Sequence, residues 1–340
     1  MEPPPDRFGA GVRAWRSGLG LVRDVVRQEL VRRQLAAHVP AGARIRVLDA
    51  GCGQGTQAIA LARLGHEVVG LDRSEELLGE ARRAAATEPA EVRQRLAFVR
   101  GDLLDLAPEH LGRYGLVCCH GVAMYLPSLE RAVAVLVSAA APSAVVSVLT
   151  RNRAGLAMRS GMSGDWARAV EAFDARTYDN RLGIRDVRAD EPGEVRDALA
   201  AAGAVPVAWY GVRLFTDHWG PRRPGYDLAP LLDAEEQAGR RDPYRAVAAL
   251  THTVAVVEPS HGSGRAGPAQ AVFAQPSTEQ AKRDPRGKPS PISSRPAPRS
   301  NATVLTCHGG SRPSAAPKVS NSPGSSTSFT SARPAEPGRR

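Results

Sequence analysis

From Arg13 to Leu35 apolar residues return at helical spacing, with Leu19, Val22, Val26 and Leu30 on one stripe and many arginines on the other face. That pattern predicts one amphipathic helix near the amino terminus. After the break at Pro40, Ala41 and Gly42, the branched run Ile45 to Leu48 predicts a strand that ends in a glycine cluster, and a helix follows through Leu64. The alternation then continues: strand Val68 to Leu71, helix Leu77 to Ala86, strands Leu96 to Val99 and Leu116 to Cys119, helix Leu129 to Ala139, strand Val145 to Leu149. Each predicted strand is a continuous apolar run, which indicates a parallel sheet covered by helices on both faces. The first 150 residues therefore read as an open α/β domain.

From Arg151 to Gly183 the pattern breaks into polar sequence containing Ala157, Met158, Met162, Trp166 and Phe173. Pro192 to Ala202 reads as a helix entered at a proline, Val205 to Leu214 as a strand, Leu228 to Ala238 as a helix and Thr251 to Val257 as a last strand.

Charge changes the picture because it is unevenly spread. Residues 258–340, dominated by Ser, Pro, Ala, Gly and Arg, carry 12 basic residues against four acidic ones, so the first 257 residues hold only +2 of the formal +10. All three lysines also lie in that stretch. A near-neutral domain with a basic tail points less strongly to nucleic acid than a uniformly basic domain would. The tail is too poor in apolar residues to form a core and is expected to be disordered. The four cysteines form no CxxC pair and have no histidine at ligand spacing, so neither a disulfide framework nor a metal site is expected. Met1 to Pro5 lacks the basic and apolar regions of a secretory signal, and the longest apolar run, Ala132 to Leu149, is interrupted by Ser138, Pro142, Ser143 and Ser147. A soluble, cytoplasmic protein without a membrane segment is the expectation.

The first strand leads through Asp49 and Ala50 into Gly51, Cys52, Gly53, Gln54 and Gly55, which places an acid just before a Gly-x-Gly-x-Gly turn that opens a helix. Glycines let the backbone turn sharply and approach a ligand closely. A dinucleotide fingerprint has its third glycine one position later, and a carboxylate aimed at phosphates would be repelled. An amino-bearing or cationic ligand suits the acid better.

This pattern resembles motif I of the class I S-adenosylmethionine-dependent methyltransferases, and later positions agree. The resemblance implies a Rossmann-like fold, a mostly parallel seven-stranded sheet with helices on both faces, and S-adenosyl-L-methionine as cofactor. It implies that Asp49, Gly51, Cys52 and Gly53 bind the cofactor. Asp72, ending the second strand, would take the ribose hydroxyls, and Asp102 the adenine amino group, with Leu103 and Leu104 near the ring. His120, at the end of the fourth strand, would flank the sulfonium, although a lone histidine is more often structural. Residues 1–40 then form an amphipathic helical segment, 41–257 the methyltransferase domain with an acceptor-side insertion at about 151–190, and 258–340 the tail.

From about Arg16 to Val257 the chain is similar to the CmoM (SmtA-type) family, bacterial enzymes that methylate the carboxylate of 5-carboxymethoxyuridine at the tRNA wobble position. The likeness includes Gly20 to Arg23, Gly65 to Val68, Asn152 to Leu156, Gly211 to Asp217 and the Pro243, Tyr244 pair. It implies that Arg23 holds the methionyl carboxylate. Departures fall between Met158 and Thr177 and between Arg185 and Asp190, where an acceptor would be touched.

An ionised carboxylate is already a nucleophile, so it needs orientation and no general base. Arg213, Arg151 and Arg153 are candidates to orient it by forked hydrogen bonds, with Asn152 and Tyr125 as neutral donors. Arg213 reads equally as a surface strand residue. For tRNA phosphates, the candidate cations are Arg13, Arg16, Arg23, Arg27, Arg32 and Arg33 of the first helix, Arg222 with Arg223, and Arg240 with Arg241. A solvated helix face is the alternative for such runs. A small-molecule acid or hydroxyl acceptor remains the other reading of the same fold.

Overall fold

The computed structural model describes residues 8–259, so the disordered tail expected from the sequence lies, apart from its first two residues, outside the described residues. The chain enters through helices α1 (Val12–Gly18) and α2 (Val22–Ala36), then alternates β1 (Arg46–Ala50), α3 (Thr56–Arg63), β2 (Glu67–Asp72), α4 (Glu75–Ala86), a single turn α5 (Ala90–Arg93), β3 (Leu96–Arg100), β4 (Tyr114–His120), α6 (Leu129–Ala139) and β5 (Ala140–Arg151). Helices α7 (Leu156–Met162) and α8 (Trp166–Ala172) and a two-stranded ribbon, β6 (Thr177–Tyr178) with β7 (Val187–Arg188), precede α9 (Pro192–Ala201), β8 (Ala204–Val212), α10 (Leu228–Arg240) and β9 (Leu250–Val257).

The main sheet has seven strands in the order β3-β2-β1-β4-β5-β9-β8. The first five are parallel, and β9 runs antiparallel to both β5 and β8. This is the Rossmann-like arrangement expected from the sequence. Alternate residues of each strand serve opposite faces. Leu48, Val117 and Val146 pack with Val133 and Leu136 of α6 and Val195 and Leu199 of α9 on one side. Val47, Leu116 and Val145 pack with Ala58 and Leu61 of α3 and Leu35 of α2 on the other. Because the five parallel strands point the same way, their carboxyl ends gather the loops that follow them along one edge, where α/β folds place ligands.

Two regions depart from the sequence reading. The amino-terminal helix is two helices, because Gly20 adopts φ 71° and Gly20 N–H donates to Asp24 Oδ2 at 3.0 Å. The break places Arg23 in the first turn of α2. The stretch read as irregular after Arg151 holds α7 and α8, the second capped by Asp165, whose carboxylate accepts Arg168 N–H at 3.3 Å. Trp166, Val170 and Phe173 share one face of α8 and stand about 70% exposed, so their helical spacing marks an outward stripe and not a core face. Among the described residues no helix is long and apolar enough to cross a membrane.

Candidate active site

A cavity of about 1200 Å³ opens along the carboxyl ends of β1, β2, β4 and β5, roofed by α1 and the β6–β7 ribbon. Its floor is the glycine turn after β1. Gly51 and Gly53 sit at φ 81° and 55°, where a side chain is strained, and a Cβ on Gly51 would collide with Val122. A Cβ on Gly53 would stand 3.2 Å from the Trp15 ring of α1. The turn is fastened to the next strand, since Gly51 and Cys52 N–H donate to Leu71 O at 2.7 and 3.0 Å, and Gly53 N–H donates to Asp72 Oδ2 at 2.8 Å.

Three acids stand at three strand ends along this floor. Asp49 is buried and its Oδ2 has no hydrogen-bond partner in the protein. Burial and the nearby Asp72 charge push its carboxyl up to about 7, against the pull of Arg27 and the Ala58 N–H. Asp72 lines the cavity, its Oδ2 accepting Gly53 N–H at 2.8 Å and its Oδ1 accepting Ser74 N–H at 2.9 Å. Asp102 accepts Leu104 N–H at 2.9 Å and faces Arg73 Nε at 3.3 Å. Asp102 and Leu103 line the cavity whereas Leu104 does not.

His120 also lines the cavity, wedged into a buried chain of polar groups. Its Nδ1 lies 2.6 Å from Gln57 Oε1 and its Nε2 lies 2.8 Å from Ser147 Oγ, which in turn lies 2.7 Å from His252 Nε2. His252 Nδ1 lies 2.8 Å from Gln34 Oε1, so each imidazole turns its Nδ1 to a glutamine carbonyl oxygen, which only accepts, and the hydrogen of each neutral ring sits on Nδ1. Burial keeps His252 down to about 3 and His120 well below its ordinary range. Both are neutral at physiological pH and act as positioned dipoles.

Deeper in the cavity the charge changes sign. Asp217 is buried among Arg151 Nη1 at 3.2 Å, Arg213 Nη2 at 3.1 Å and Arg159 Nε at 3.4 Å. Burial would raise its carboxyl, but the three guanidinium groups hold it well below the usual carboxylate range. Three cations on one anion leave an excess of positive charge. Arg23 adds a fourth, with Nη1 3.5 Å from Asp217 O, and burial followed by the Arg213 and Arg181 charges lowers it to about 10. Arg159 is likewise lowered to about 10, first by burial. The Nε groups of Arg151 and Arg213 are buried without a partner. Such a cluster is built for an anion.

The elements that hold it are specific. Arg151 ends β5 and lies over the Tyr178 ring at 4.9 Å. Arg213 follows β8 with φ 62°, a left-handed conformation that strains a non-glycine residue and persists only where its surroundings fix it. Glu235 of α10 supplies that restraint, because its buried carboxylate accepts the N–H groups of Leu214, Phe215 and Thr216 at 2.8, 3.1 and 2.9 Å and the Thr216 hydroxyl at 2.7 Å.

Of the residues expected from the sequence, Arg23, Asp49, Gly51, Cys52, Gly53, Asp72, Asp102, Leu103, His120, Tyr125, Arg151 and Arg213 border the one cavity. Asn152 and Arg153 do not. Asn152 spends its amide hydrogens on Ala246 O and Ala248 O at 2.9 and 2.8 Å, and Arg153 pairs with Glu191 at 2.9 Å. Tyr125 accepts Asn180 Nδ2–H at 3.0 Å, and burial pushes its phenol up, so it stays a neutral donor. Sequence reasoning missed Arg159, Tyr178 and Glu235 altogether. Asp217 was visible only as part of a matching segment.

A family model described as a methyltransferase domain matches residues 47–143, which span the glycine turn and all three acids. Over 237 residues the chain is also 28% identical to the tRNA 5-carboxymethoxyuridine methyltransferase of Escherichia coli K12, covering 69% of this chain and 88% of that one. The chain is a class I S-adenosylmethionine-dependent methyltransferase. The ubiquinone biosynthesis O-methyltransferase of Xanthomonas axonopodis pv. citri is 30% identical over 164 residues, 47% of this chain and 65% of the relative. The fold matches magnesium protoporphyrin IX methyltransferase from Synechocystis PCC 6803, solved with bound SAH, at a TM-score of 0.50 and 20% identity over 74% and 97% of the two chains.

The residues present fit S-adenosylmethionine as the cofactor. The partnerless Asp49 oxygen suits its ammonium, Arg23 its carboxylate, Asp72 its ribose hydroxyls and Asp102 its adenine amine. Asp72→Ala is predicted to weaken S-adenosylhomocysteine binding by about 1.5 to 3 kcal/mol, read by calorimetry, and unchanged affinity would remove Asp72 from the site. An ammonium held by Asp49 requires the carboxylate form, so affinity is predicted to strengthen as pH rises toward about 7 and to level off above it, with proton release below that pH. Asp49→Asn removes this dependence if Asp49 is its source.

Proposed function

We propose that the enzyme methylates a carboxylate, and that the acceptor is 5-carboxymethoxyuridine at the wobble position of tRNA. The observation that carries the first half is the cluster of Arg151, Arg159 and Arg213 around the single carboxylate of Asp217, beside the site that fits the cofactor. Support for the second half is similarity across most of the length of the Escherichia coli tRNA 5-carboxymethoxyuridine methyltransferase.

The bound cofactor supplies a methyl group activated by a sulfonium. Arg213, Arg159 and Arg151 orient the acceptor carboxylate so that one oxygen lies in line with that methyl, and Tyr125 donates a hydrogen bond from the side. Arg23 serves the cofactor's own carboxylate, which keeps two anions in one cavity apart. No proton has to be removed from an ionised acid, consistent with His120 and His252 being neutral and each lying within hydrogen-bond distance of Ser147 Oγ. On this reading proton transfer plays no part in the rate.

A second reading, a small-molecule acid or hydroxyl as acceptor, gains from the outward apolar stripe of Trp166, Val170 and Phe173, whose neighbour Arg168 is paired with Asp165. Labelled methyl transfer to total tRNA from a strain lacking the activity, followed by nucleoside analysis, separates the two. A base-labile methyl ester on a carboxymethoxyuridine is the expected product. Unlabelled tRNA, with cofactor binding intact, would refute the tRNA acceptor.

A further inference from the structure

Between β8 and α10, residues 213–227 form a loop with two different sides. Arg213, Asp217 and Pro221 face the cavity. On the outer side Arg222 and Arg223 are exposed, Tyr226 is fully exposed, and the Arg222 guanidinium lies 4.2 Å over the Trp219 ring. No acid occurs from His218 to Tyr226, and among the described residues neither Arg222 nor Arg223 makes an ion pair. Most of the other candidate cations are spent: Arg16 on Glu76 and Glu80, Arg27 on Asp24, Arg32 and Arg33 on Glu29, and Arg240 on Glu236.

The loop is also held in shape. Glu235 gathers the N–H groups of 214–216, Arg181 donates to Trp219 O at 2.6 Å and His218 O at 3.2 Å, and Val22 N–H donates to Arg222 O at 2.8 Å. A rigid rim carrying two free guanidinium groups and flat π faces lies directly beside the acceptor pocket.

We propose that this rim binds single-stranded RNA on either side of the methylated base, with Arg222 and Arg223 on phosphates and Tyr226 and the Trp219–Arg222 stack under neighbouring bases. The proposal rests on the nucleoside reading of the acceptor given above. Charge decides for RNA over a protein surface here, because the stretch from His218 to Tyr226 offers unpaired cations and aromatic faces but no aliphatic side chain beyond proline. The α8 stripe differs in its charge, since Arg168 beside it is paired with Asp165.

The test uses the full chain loaded with S-adenosylhomocysteine, an anticodon stem-loop RNA containing 5-carboxymethoxyuridine, and the free nucleoside. The basic tail is common to all variants and cancels in the comparison. The Arg222→Ala/Arg223→Ala double variant is expected to flatten the log–log salt dependence of RNA binding by about 1.4, from about 0.7 per phosphate contact to a single strand. Tyr226→Ala is expected to weaken RNA binding by about 5- to 150-fold. Methyl transfer to the free nucleoside should match wild type in both, which shows that the pocket is intact. Wild-type RNA affinity and salt slope in both variants would overturn the proposal and leave the rim to a protein partner. Failure of the wild-type enzyme to methylate the stem-loop at all would instead sink the nucleoside reading, and this proposal with it.

Discussion

Three guanidinium groups converge on one buried carboxylate, and much of the acceptor half of this protein is arranged to make that possible. Buried cations of like sign repel and lose hydration, so Arg151, Arg159 and Arg213 stay together only because Asp217 lies within about 3.5 Å of each and stays ionised. The supporting structure follows from that constraint. β5 delivers Arg151 from the sheet, α7 delivers Arg159 from the segment beyond it, and the strained backbone of Arg213 is fixed by Glu235 from α10. Asp217 neutralises one of the three charges, and the rest attract an anion.

The cofactor half rests on different physics. Its ligands are mostly backbone shape and carboxylates, set by the parallel strands that bring Asp49, Asp72 and Asp102 to one edge. The two halves therefore present opposite signs to opposite ends of the reaction. In the proposed reaction carboxylates face the amino and hydroxyl groups of the cofactor, and guanidinium groups face an acid acceptor. Between them His120 and Tyr125 are neutral, so neither end of the charge arrangement is cancelled.

The cofactor half was legible in the sequence because its chemistry is local: Asp49 and the three glycines lie within seven residues, and Asp72 and Asp102 each close a recognisable strand. The sheet was legible for the same reason, each strand being a short apolar run between helices. The acceptor half was not. Arg159, Tyr178, Asp217 and Glu235 come from four separate segments and meet only through tertiary packing, and among so many arginines nothing local distinguishes Arg159, which lines the cavity, from Arg153, which does not. Asn152 misled for a related reason, since a polar residue at a strand end can as well satisfy a neighbouring loop's carbonyls as face a ligand. The helix break at Gly20 escaped notice because the apolar period runs through it.

The central claim is that the arginine cluster binds the acceptor's carboxylate independently of the cofactor. Calorimetric titration of 5-carboxymethoxyuridine into the S-adenosylhomocysteine complex of the wild-type enzyme and of Arg159→Gln tests it most directly. The account predicts that losing one charge-assisted hydrogen bond weakens the acid by about 10- to 100-fold while S-adenosylhomocysteine binds as before. Equal affinity for the acid in the two proteins, or parallel loss of acid and S-adenosylhomocysteine, would contradict it.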